Sequence, residues 1–124
     1  MLGWRHDWFP AFYTRSSGLR APHRVESASE VVATLRHRTR PSTGVLVGVP
    51  IPEPDELDPV DLDAVLTRAL DDCRAAGIAG AEVTPFVLGR IVEATEGRSV
   101  PANLALAENN AGVAAEIAVA LVNG

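Results

Sequence analysis

Apolar residues in this chain fall into short blocks whose spacing changes from one block to the next. Val31, Val32 and Leu35 stand at helical spacing behind "SASE", 27–30. That tetrapeptide has the form of a capping box, with Ser27 as cap and Glu30 reaching back. The pattern predicts a helix over about 28–38, broken by Pro41 to Gly44. "GVLVGVPIP", 44–52, is instead a nearly unbroken apolar run with β-branched residues. It reads as a strand buried on both faces and ending at Pro50. Pro50, Pro52 and Pro54 then predict an extended exit loop. Open α/β sheets bind ligands beyond the ends of such strands.

Helical spacing returns at Leu62, Val65, Leu66, Ala69, Leu70 and Cys73. Asp58 suits the cap, Pro59 the first helical position, and Asp61 and Asp63 the positive helix start; Gly77 ends the run. "TPFVLGRIVEATEG", 84–97, predicts another helix, with Thr84 as cap, Pro85 first, and a buried stripe of Val87, Leu88, Ile91 and Val92. A last helix is expected over about 101–122. "MLGW" reads as the end of a strand. Residues 5–25 read as an ordered loop, since Pro10 and Pro22 disfavour helix and Gly18 marks a turn. The order is α/β, with one or two strands and about four helices. Two strands would leave helix faces uncovered. The expectation is therefore that residues 1–124 are the back part of a larger α/β protein.

Charge sharpens this picture. The formal net charge is −5, which argues against nucleic acid as a partner. Residues 1–40 hold seven Arg against three acids, a net of +4; residues 41–124 hold four Arg against thirteen, a net of −9. A basic front fits either an anion site or a contact with another domain or subunit. All eleven basic residues are Arg, so no lysine amine is available for Schiff-base chemistry. The single Cys73 suits a reducing cytoplasm. The first ten residues carry Arg5, His6 and Asp7 and lack the apolar run of a signal peptide. Glu108, Asn109, Asn110 and Glu116 interrupt the stretch 101–122, which argues against a membrane span.

Candidate chemistry concentrates in two places. "FPAFYTRSSG", 9–18, joins three aromatics to Arg15, Ser16, Ser17 and Gly18. That is either an anion cradle or a turn in which Arg15 is tied to the chain's own carbonyls. On the last helix, Asn103 and Asn110 lie 20° apart on a wheel, on the stripe that also carries Ala107, Ala114, Ile117 and Leu121. If that stripe is buried, the two amides need partners: neighbouring backbone, or the polar edge of a ligand. Asn109, about 120° round, reads as a surface or interface residue. Asp58, Asp61 and Asp63 lack the glycine and glutamate frame of a calcium loop. His6, His23 and His37 show no metal-ligand spacing. No phosphate loop or nucleophile elbow is present.

Five blocks, in order, resemble one family. "FPAFYTRSSG" with "APHRV", "GVLVGVPIPEPDEL", "VTPFVLGRI", "GRSVPANLAL" and "NNAGVAAEIA" are similar to the C-terminal part of the pseudouridine-5′-phosphate glycosidases, also called the indigoidine synthase A family. The resemblance implies reversible cleavage of pseudouridine 5′-phosphate to uracil and ribose 5-phosphate. It also implies an α/β/α fold, a homotrimer, a divalent metal such as Mn2+, and a cytoplasmic enzyme. The family's lysine forms an imine with the opened ribose and a glutamate moves protons. Neither these nor the metal-binding aspartate has a counterpart here, so no catalytic residue and no metal ligand is expected in this chain. Asn103 matches the family's pocket-lining asparagine. Arg15, Ser16, Ser17 and Asn110 are weaker candidates for holding a sugar phosphate.

Overall fold

A computed structural model describes residues 1–40 and 42–123, with the side chains of residues 59–61 outside the description. The roles expected of Pro41, Pro59 and Asp61 side chains therefore lie outside the described residues. Three parallel strands form one sheet in the order β2-β1-β3: β1 is Leu2–Trp4, β2 Arg24–Val25 and β3 Val47–Gly48. The sheet thus holds three strands, against the one or two expected. The missed strand lies at the end of the segment read as loop, where two residues pair with β1 and leave no periodicity to detect. The run 44–52 is regular for two residues of its nine.

Four α-helices accompany the strands, the first between β2 and β3 and the other three after β3. α1, Ala28–His37, opens as expected: the Glu30 N–H donates to Ser27 Oγ at 3.4 Å, and Glu30 Oε2 accepts from the Glu26 N–H at 3.1 Å. α2, Pro59–Ala75, ends at Gly77 in the left-handed region, φ 69°, with the Ile78 N–H closing on the Cys73 carbonyl at 3.0 Å. α3, Val83–Ala94, does not start on Thr84. A 3₁₀ turn at Gly80–Glu82 feeds it directly, and no side chain caps it. Gly97, φ 82°, receives its end, the Gly97 N–H meeting the Val92 carbonyl at 2.9 Å. α4 runs Ser99–Asn123.

α4 joins two apolar clusters. Its C-terminal half sets Val113, Ile117 and Ala120 against α1 and the sheet residues Leu2, Trp4 and Val25. Its N-terminal half sets Ala102 and Leu106 against Ala69 of α2, Val87 and Ile91 of α3, and Tyr13 and Ile51. In 25 residues α4 is long and apolar enough to cross a membrane by length and composition, with a mean hydropathy of 1.3.

Loop backbone closes over the sheet's other face. A Cβ on Gly3 would lie 2.3 Å from the His6 carbonyl oxygen and 2.9 Å from the Ala21 Cβ. Gly48, its partner across the register, would meet Pro10 Cδ at 3.0 Å. The two glycines let residues 5–23 lie directly on the strands.

Candidate functional site

The segment 9–18 is held as a hairpin-like excursion. Trp8 and Arg20 form an antiparallel bridge, the Phe9 N–H donates to the Leu19 carbonyl at 2.7 Å, and the Ser17 N–H donates to the Phe9 carbonyl at 2.9 Å. Inside it Ala11 and Thr14 close a tight turn. Phe12 sits in that turn with φ 61°, a strained conformation for a bulky residue, and the residue is 47% exposed. Tyr13 turns the other way and is buried, its ring edge-on to Phe12 at 4.6 Å. Burial pushes the Tyr13 phenol above its ordinary pKa, offset in part by the Ser99 hydroxyl facing it. That hydroxyl is itself buried and meets no acceptor or donor at full hydrogen-bond geometry among the described residues.

Arg15 is the staple of this segment. Its guanidinium donates to the Ile51 carbonyl at 2.5 Å, and its N–H to Glu56 Oε1 at 2.7 Å; its carbonyl lies 2.9 Å from His6 Nε2. The Leu57 N–H reaches the Tyr13 carbonyl at 3.0 Å. The aromatic turn is thereby fixed beside the exit of β3. Ser16 Oγ and Ser17 Oγ accept from the Gly18 and Leu19 N–H groups, 3.1 and 3.3 Å away. Of the two readings of "TRSSG", the geometry matches the turn anchored on its own carbonyls.

Beside this turn lies an open apolar cavity of about 710 Å³. Phe9, Pro10 and Phe12 form one wall, residues 45–49 the middle, and one face of α4 the other wall. Asn110 is a polar member of that face; Asn103, two turns earlier, is not among the lining residues. The wheel had placed both amides on the buried stripe. The buried stripe is instead Ala102, Leu106, Val113, and Asn103 and Asn110 are exposed. Neither carboxamide is hydrogen-bonded to a described residue. Asn109, expected as a surface or interface residue, is half-buried and donates to the Pro50 carbonyl at 3.1 Å, tying α4 to the same exit loop.

Arginines of the basic front other than Arg40 are engaged with the chain itself. Arg24 pairs with Asp7 at 3.2 Å and with Glu26, whose hydrogen bond raises its pKa. Arg5 reaches Glu116 and lies over Trp4; Arg36 donates to the Leu121 carbonyl near the end of α4. No group of three His, Cys, Asp or Glu side chains converges among the described residues, so these residues do not fit a metal site by themselves.

The comparisons agree with this architecture. The family model for indigoidine synthase A like proteins matches residues 1–120. A pseudouridine-5′-phosphate glycosidase of Methylobacterium nodulans is 45% identical over 98% of this chain and 36% of its own length. One of Nocardioides sp. is 47% identical over 95% of this chain and 39% of its own. Among solved structures, an indigoidine synthase A-like protein of Thermotoga maritima superposes with a TM-score of 0.80 at 36% identity. A prealnumycin C-glycosynthase, AlnA, in complex with ribulose 5-phosphate superposes at 0.83 and 30%. Each superposition covers 97% of this chain and 40% of the other. The chain spans about two-fifths of the length of these relatives, and it belongs to the indigoidine synthase A-like family.

Proposed function

We propose that this chain is one portion of a pseudouridine-5′-phosphate glycosidase and takes part in reversible C–C bond cleavage between uracil and ribose 5-phosphate. The observation that carries the reading is the continuous 45% identity over 98% of the chain to a protein of that name. The likeness to a C-glycosynthase whose structure holds a pentose 5-phosphate supports the same kind of substrate.

This portion is inactive alone in our reading. Imine formation needs a lysine, and the sequence has none. The lysine, the glutamate and the residues for a divalent metal such as manganese would come from the segments that relatives carry in their remaining length. The assembly would be a cytoplasmic homotrimer. What this chain contributes is a positioned wall, the turn 9–15 fixed by Arg15 with Asn110 across the cavity, and, outside that cavity, the exposed carboxamide of Asn103. Residues that act as a unit fail as a unit, so separating them removes nearly all the rate enhancement.

The test is complementation. The chain is co-expressed with the part of the Methylobacterium nodulans relative that it does not match, and uracil release from pseudouridine 5′-phosphate is followed with manganese present. Turnover is expected from the pair and none from the chain alone. Within the active pair, Asn103→Ala is expected to lower kcat/KM about ten- to a hundredfold, the loss of one buried polar contact to substrate. Turnover by the chain alone within about a hundredfold of the full-length relative would overturn the proposal.

A further inference from the structure

Asn103 rides on a helix that starts straight after a tight corner. The chain passes from α3 into α4 through Glu96 and Gly97, both in the left-handed region at φ 51° and 82°. Pro101, in the first turn of α4, has no N–H to offer a neighbour. Two polar side chains at this corner are buried, Thr95 and Ser99. The Thr95 hydroxyl donates to the Ile91 carbonyl at 2.7 Å and accepts the Ser99 N–H at 3.2 Å. Its single proton is committed, so it cannot donate to the Ser99 hydroxyl. That hydroxyl faces the Tyr13 phenol instead.

Tyr13 is placed to use that contact. It is buried and shares one cluster with Ala102 and Leu106, which stand on either side of Asn103 along α4. Ser99 and Asn103 are one helical turn apart, on one side of the helix. The residue is also fixed to the exit loop of β3. Its carbonyl accepts the Leu57 N–H at 3.0 Å, and the fully buried Ile51 belongs to the same cluster. Its ring meets Phe12 edge-on at 4.6 Å. Packing alone would be satisfied by phenylalanine. A hydroxyl carried into the interior destabilises unless it meets a polar group, and here it meets the first residue of α4. We propose that Tyr13 is a positioning residue, which sets the first turn of α4, and with it the Asn103 carboxamide, against the aromatic turn and the exit loop of β3. It is too deeply buried to touch a substrate, and it acts through Ser99 and Asn103.

The effect on turnover rests on the reading that Asn103 holds substrate in a pseudouridine-5′-phosphate glycosidase; the effect on α4 does not. The test uses the whole chain co-expressed with the unmatched part of the Methylobacterium nodulans relative. Tyr13→Phe and Ser99→Ala each remove one hydroxyl and keep the carbon packing, and if one fails to fold the other carries both readouts. Uracil release and amide hydrogen exchange are followed on the same samples. Each variant is expected to lower kcat/KM about three- to tenfold, and neither to lower it further in an Asn103→Ala background. Each is also expected to speed exchange of the 102–106 amides about tenfold while those of 113–117 stay as they were. Losses that multiply with that of Asn103→Ala would mark a purely structural role and overturn the proposal. So would unchanged exchange at 102–106, or exchange raised equally along all of α4. A pair that releases no uracil sinks the glycosidase reading; faster exchange confined to 102–106 then still upholds Tyr13 as the residue that sets this turn. Uracil release with unchanged exchange in both variants does the reverse.

Discussion

Tyr13 is the one tyrosine of the chain, and its phenol is buried where the aromatic turn meets α4. Burial favours the neutral form, so its folded pKa lies above the ordinary 10.0 that it regains on unfolding. The unfolded chain then binds fewer protons than the folded one between those two values, and stability falls with rising pH in that window. Urea unfolding should be insensitive to this group below pH 10.0, weaken above it, and level off past the folded pKa. Near-ultraviolet phenolate absorbance reports the titration directly. Tyr13→Phe should abolish the alkaline decline; an equal decline in that variant would show that another group causes it. Residue identities also mark where the sequence was readable. "TRSSG" contained both an anion cradle and a self-anchored turn, because the same donors serve either. Choosing between them needed the Ile51 carbonyl and Glu56, which are far along the chain and show no local signal. The partner of Asn109 was not legible for a related reason: the Pro50 carbonyl lies 59 residues away.

Elements with polar punctuation were legible to within a residue or two, and those without it were not. α1 announces itself through Ser27 and Glu30, and α2 through Asp58, Pro59 and Gly77. α3 has a cap-like Thr84, yet begins earlier because a 3₁₀ turn delivers the chain already wound. α4 is apolar nearly all round, so a wheel drawn from composition alone cannot say which stripe is inside. The face that is buried was decided by α1, α2, α3 and the sheet together. The short strands depend on contact even more: Gly3 and Gly48 let loop residues lie directly on β1 and β3. Gly3→Ala and Gly112→Ala separate these cases. At Gly3 the added Cβ meets a backbone carbonyl oxygen at 2.3 Å, so backbone packed against β1 has to shift. At Gly112, inside α4, it meets nothing within 4 Å. Gly112→Ala is expected to stabilise by about 0.5–1 kcal/mol through helix propensity. Gly3→Ala is expected to destabilise by several-fold more than that gain, through forced displacement of a packed strand. Urea unfolding of dilute chain, read by tryptophan emission, measures both; equal effects would contradict the close approach.

At the scale of the molecule, the surface is that of a part. Val100, Leu104, Val119 and Val122 of α4 are all more than half exposed. Single exposed apolar residues are ordinary, but these share one helix with an apolar cavity at its side, and a patch of that kind marks an interface. Two environments would accept such a helix: a lipid bilayer or more protein. The charge and hydrogen bonds of α4 favour protein. Glu116 pairs with Arg5 at 3.5 Å, Asn109 is tied to Pro50, and Val113 and Leu106 belong to two separate clusters. Inserting the helix in lipid would give up all of these and bury a carboxylate. The chain alone is therefore expected to self-associate in water and to leave lipid vesicles unoccupied. With its complementing segment it should sediment as a discrete species. Val119→Lys with Val122→Lys, two exposed positions outside both clusters, should reduce self-association of the lone chain without changing its helix content. Analytical ultracentrifugation of the chain, the double variant and the co-expressed pair, with vesicle flotation alongside, reads every arm. A lone chain that is monomeric at high concentration, or one that floats with vesicles, would show that this face of α4 needs no protein partner.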